Sequence, residues 1–135
     1  MARRRSENSD RSRLPDGLKR IAQPLSSTDD LDPLIERIGD ARYVLLGEAS
    51  HGTSEFYTWR TEISKRLIAD HGFSFIAVEG DWPDCYQVNR YVKAMPEAAE
   101  SAEGVLHAFE RWPTWMWANR EVVQLAEWLR SGDHA

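Results

Sequence analysis

Cysteine is almost missing from this sequence: Cys85 stands alone in 135 residues. That excludes an internal disulfide and any metal cluster built on thiolates. Cys85 follows Glu79 by six residues, which leaves a catalytic role open, but a lone cysteine is ordinarily a small buried hydrophobe. Long apolar runs are missing too, and no window approaches the length of a membrane span. The first thirty residues hold no apolar core of a secretory signal, so the expected location is cytoplasmic. Net positive charge is lacking as well. Seventeen Lys and Arg against 22 Asp and Glu give −5. Five arginines against Glu7 and Asp10 put +3 into residues 1–13 and leave −8 for the rest. An acidic body repels phosphate backbones, which excludes nucleic acid as the expected partner, and the Arg/Ser-rich residues 1–16 read as a solvated, disordered tail. No serine stands in a GxSxG context, so a nucleophile-elbow mechanism is unsupported; Ser50 sits in a turn of the right kind without the flanking glycines. No HExxH or similar metal signature occurs.

What is present centres on Tyr43-Val44-Leu45-Leu46-Gly47-Glu48-Ala49-Ser50-His51-Gly52, an apolar run ending in a carboxylate, a small-residue turn and an imidazole. Phe75-Ile76-Ala77-Val78-Glu79-Gly80-Asp81 repeats the pattern. Such runs fit strands buried on both faces of a parallel sheet, with the polar groups at the carboxyl edge where open α/β sheets bind ligands. The expectation is an α/β fold with a βαβ unit of parallel strands and flanking helices, in which Glu48, Glu79 and His51 share one edge. The alternative for each glutamate is a strand cap or a pair with a nearby arginine.

The remaining elements follow from punctuation. Pro15 to Leu25 suits a short helix. Asp30 is a candidate N-cap for a helix carrying Leu31, Leu34, Ile35 and Ile38, with Gly39 at its end. Thr53 or Ser54 opens a helix whose apolar positions Phe56, Trp59, Ile63 and Leu67 run at helical spacing to His71-Gly72. Further helices are expected over about 84–93, around Val105, Leu106 and Phe109, and from about Thr114 to Arg130, the last carrying a Val122, Leu125 and Leu129 stripe with Gly132 beyond it. Two strands do not make a sheet that can be covered on both faces. Residues 17–135 are therefore expected to be the amino-terminal portion of a larger α/β domain.

Three blocks in order, Gly47 to Phe56 (GEASHGTSEF), Ala77 to Trp82 (AVEGDW) and Trp112 to Glu121 (WPTWMWANRE), resemble the erythromycin esterase family. The resemblance runs from about residue 17 onward and covers only the amino-terminal part of a family fold of several hundred residues. It implies hydrolysis of carboxylic esters such as the macrolactone of macrolide antibiotics, a small-molecule ester as partner and a role in antibiotic resistance. It further implies that His51 activates water, that Glu48 and Glu79 are its acidic partners and that Arg60 is a cleft arginine. A later family histidine has no counterpart here, since His107 and His134 lie outside matching motifs. The chain is thus expected to be weakly active or inactive until the carboxy-terminal part of the fold completes it.

The residues themselves agree in outline. Ester hydrolysis needs a base near neutrality, and histidine is the side chain suited to it. A permanent cation at Arg60 can stabilise a developing oxyanion or hold a substrate oxygen; the plainer alternative is a salt bridge to Glu79 or Asp81. Six tryptophans are many for this length, and Trp112, Trp115 and Trp117 with Met116 offer an apolar cleft wall or, equally, core. Trp115, Trp117, Asn119 and Asp81 are the candidate substrate-binding residues, with solvation the alternative for Asn119 and Arg120. Glu48, His51 and Glu79 could hold zinc or manganese as a metal-dependent hydrolase would, but the reading requires no metal and no cofactor. The rival from another class is a non-catalytic remnant, or a module that a partner chain completes.

Overall fold

The computed structural model describes residues 15–111 and 113–132. Most of the expected basic tail, Trp112 and His134 lie outside the described residues. The chain divides into two compact units, residues 1–39 and 40–135.

In the first unit, α1 spans Asp16–Lys19, a 3-10 turn spans Thr28–Leu31, and α2 spans Asp32–Ile38. Asp30 closes a capping box with Ser27 instead of acting as the N-cap. Its carboxylate accepts from the backbone N–H groups of Ser26 and Ser27 at 2.7 and 2.9 Å. Those two bonds hold its pKa below the ordinary carboxylate value. Gly39 ends α2 at φ +49°, a conformation that glycine adopts at little cost.

The second unit is helical. Helix α3 spans Ser54–His71, α4 Trp82–Val92, α5 Ala102–His107 and α6 Arg120–Ser131, with a 3-10 turn at Thr114–Met116 before α6. Helices α4, α5 and α6 pack on one another, and α6 also packs on α3. Their shared core is Tyr91, Ala102, Val105, Leu106, Phe109 and Ala126. Cys85, Trp117 and Val122 are among the partly buried residues against it. Arg130 ties α6 to the end of α4, donating to the Tyr91 carbonyl at 2.6 Å while its guanidinium lies over the Tyr91 ring. No described helix is long and apolar enough to cross a membrane.

The α/β expectation is overturned, because no strand forms among the described residues and the unit is built from helices. Residues 43–48 and 73–78 run without a ladder between them. The physical reason is that an apolar run specifies burial but carries no hydrogen-bond partner of its own. A parallel pair needs neighbours on both edges and layers on both faces, and here neither is supplied. The runs consequently stay exposed, Leu45 at 94% and Phe75 at 71%. Glu48 and Glu79 therefore do not end paired strands.

Two helical details also differ. The buried stripe of α3 is Tyr57, Thr61, Ser64 and Leu67, while Phe56 is exposed. Small Thr61 and Ser64 allow close approach, and the Ser64 hydroxyl donates back to the Arg60 carbonyl at 2.8 Å. The continuous helix expected from Thr114 is broken, because Asn119 takes an extended conformation and its side chain accepts from the Val122 N–H at 2.9 Å.

Candidate active site

A cavity of about 890 Å³ lies among residues 42–48, residues 73–79, the inner face of α3, and Met116, Trp117, Val122 and Leu125. Its lining is mostly apolar, and Glu48, His51, Arg60 and Glu79 are among the charged or titratable groups on it. The turn Glu48 to Thr53 enters α3, and the helix carries Arg60 back toward the carboxylate that precedes it.

Glu48 is the hub. Its Oε1 lies 2.6 Å from His51 Nδ1, and its Oε2 accepts from Arg60 Nη1 at 3.0 Å. The Glu48 side chain is 8% exposed and that of His51 52%. The carboxylate is thus enclosed and engaged on both oxygens, while the imidazole is half-exposed. An ionised carboxylate only accepts, so Nδ1 carries the proton toward Glu48, and Nε2 of a neutral ring is left with its lone pair. Arg60 pairs with neither Glu79 nor Asp81. Its guanidinium lies 4.8 Å from the Tyr57 ring centroid and 5.5 Å from that of Trp117, contacts that hold a cation in a partly desolvated place. The Tyr57 hydroxyl accepts from the Gly52 N–H at 3.3 Å, fixing the turn just after His51.

Glu79 enters through its backbone, its carbonyl accepting from the Trp117 indole N–H at 2.9 Å, and the residue lines the same cavity. Asp81 is the N-cap position of α4, and its carboxylate pairs with Arg111 at 3.1 Å. Asn119 spends its amide group on the Trp115 and Met116 carbonyls and its oxygen on α6. Trp115 is half-exposed and rests on Gly52. Among the described residues, no group of three or more His, Cys, Asp or Glu side chains is arranged to hold a metal ion. The Cys85 thiol is pushed up in pKa by burial first and by Asp84 and Asp81 after it, which keeps it protonated and unreactive.

Sequence reasoning missed the connection from Trp117 to Glu79, since 38 positions separate them and no local pattern signals it. It also missed Ser54 and Glu121, whose 2.5 Å hydrogen bond joins the first turns of α3 and α6. That bond, ahead of the smaller effects of the Glu121 N–H and Arg120, holds the Glu121 carboxyl below its ordinary range against the opposing effect of burial.

Comparison with known proteins supplies the family. The sequence profile described as erythromycin esterase matches residues 68–134. Residues 68–134 are an erythromycin esterase family segment. A curated relative, "Erythromycin esterase type II" of Escherichia coli, is 30% identical over 101 residues. Those residues are 73% of this chain and 24% of the relative, so the chain spans about a quarter of that protein's length. No solved structure matches the chain.

Proposed function

We propose that this chain carries the water-activating part of a carboxylic-ester hydrolase whose substrates include macrolide lactones. The supporting observation is the Glu48–His51–Arg60 arrangement, in which the histidine is the exposed member and its partner carboxylate is enclosed. In the proposed reaction, water attacks the acyl carbon while His51 Nε2 takes its proton. The carbonyl π electrons move to oxygen, the tetrahedral intermediate collapses, and the leaving alkoxide receives the proton held by His51. Carboxylic acid and alcohol result, and His51 returns to its neutral form. Glu48 fixes the ring orientation and balances the imidazolium, and Arg60 keeps that carboxylate in place. The Glu79 carboxylate is the second acid of the site, and Trp115, resting on Gly52, is an apolar substrate contact.

The uncovered lining of the cavity supports a second element of the reading. Leu45, Phe75, Ile76 and Val78 are exposed apolar side chains on two neighbouring segments, and the matched residues are only 24% of the relative. We assign the covering of this surface to the remaining part of the family's chain, so the segment alone is expected to be nearly inactive.

The test is a chimera in which this chain replaces the matching segment of the Escherichia coli relative. Hydrolysis of erythromycin is followed as the gain of one water in the product mass. The native chimera should open the lactone, and His51→Ala should slow it by about 10²- to 10⁴-fold, the usual cost of removing a general base. A folded chimera whose His51→Ala form turns over at the native rate would remove His51 from the mechanism. Loss of activity on chelation with recovery on added zinc would replace the metal-free reading.

A further inference from the structure

We infer that the Trp115-Met116-Trp117 turn is the positioning element of this site, with Trp117 the residue that couples its two halves. This inference rests on the reading that Glu48, His51 and Glu79 act together. The Trp117 indole makes two kinds of contact at once. Its N–H holds the Glu79 carbonyl at 2.9 Å. Its ring lies against the Arg60 guanidinium, which holds Glu48, which in turn holds His51. One side chain thus connects the segment ending in Glu79 with the turn carrying His51.

Glycines mark both seats. A Cβ placed on Gly80 would lie 3.1 Å from Trp117 Nε1 and 2.7 Å from Cys85 Sγ, so no side chain fits where the indole meets the Glu79 segment. A Cβ placed on Gly52, which has φ +83°, would lie 3.1 Å from the Trp115 ring. Two indoles two positions apart therefore sit on the two glycines that directly follow His51 and Glu79. The spacing suits a 3-10 turn, which brings i and i+2 side chains out in different directions from a compact backbone. The turn is itself pinned: the Trp117 and Ala118 N–H groups donate to the Thr114 carbonyl at 3.2 and 2.8 Å. Asn119 Nδ2 donates to the carbonyls of Trp115 and Met116 at 3.3 and 3.1 Å. Because Asn119 also caps α6, the turn is anchored to the helical core. Trp117 is accordingly a positioning residue, acting on His51 through Arg60 and Glu48.

The test is nuclear magnetic resonance on the isotope-labelled full chain, which needs no substrate. In the native chain, nuclear Overhauser contacts are expected from the Trp117 ring to Gly80 and to the Arg60 side chain. The His51 ring nitrogens should report a proton on Nδ1. In Trp117→Leu the amide shifts of residues 48–52 and 79–80 should move and His51 should relax to the mixed tautomers of a free imidazole, with the α2 amides unchanged. Trp117→Phe keeps a ring over Arg60 but removes the N–H, so the His51 signature should return while the 79–80 shifts stay displaced. A His51 signature and 48–52 shifts unchanged in folded Trp117→Leu would overturn the inference. Should that variant fail to fold, native Overhauser contacts missing at Gly80, or a Trp117→Phe spectrum unchanged at 79–80, would overturn it as well. Failure of the folded chimera to hydrolyse any ester would refute the proposed function and leave these outcomes readable.

Discussion

Leu106 and Leu45 are the same side chain in two regions of one unit, 1% exposed in the α4–α5–α6 core and 94% exposed on the cavity wall. The difference lies in the backbone before it lies in the side chains. A helix satisfies its own N–H and C=O groups, so packing three amphipathic helices needs only their apolar faces to meet. An extended run must find its backbone partners elsewhere. Residues 43–46 and 75–78 are largely apolar, yet they remain open because no strand ladder forms on them among the described residues.

The largest effects should separate these regions. Leu106→Ala is expected to destabilise the unit by about 2–5 kcal/mol through lost burial and a residual cavity, whereas Leu45→Ala should change stability by less than about 0.5 kcal/mol. Denaturant midpoints measure both, and similar losses would erase the distinction. Next in size is Gly80→Ala at the join between them, where overpacking against Cys85 and Trp117 should cost about 1–3 kcal/mol. Adding Cys85→Ala should recover part of it, since the sulfur is the closer obstacle. Asn119→Ala removes the cap of α6 and should cost about 0.5–2 kcal/mol.

The smallest expected effect is the acid dependence of the Ser54–Glu121 bond. The folded pKa of Glu121 is lowered, so the bond's contribution is complete above the ordinary glutamate value of about 4.3 and is lost as the pH falls through the lowered folded value. Thermal melts of the native chain and Glu121→Gln from pH 7 downward should therefore converge in acid. A gap between them that widened toward low pH would contradict the assignment.

Much of the helical unit was legible from its punctuation. Gly72 and Gly132 end α3 and α6 in the left-handed conformation, as their positions after the periodic stretches required. The Glu48–His51 pairing follows from a three-residue spacing across a turn. Sheet pairing was not legible, because hydrophobicity reports a demand for burial and is silent about which backbone meets it. Trp117 was not legible as a brace, since a tryptophan's pattern in sequence is the same whether its ring meets substrate, core or a guanidinium.

Amide hydrogen exchange along the chain tests most directly the claim that a self-sufficient helical core carries one wall of an uncovered site. Slow exchange is expected in α4, α5 and α6, with residues 44–48 and 74–78 exchanging near the rate of unbonded amides. Protection of those two segments equal to that of the Leu106 region would show that their backbones are paired, and would contradict it.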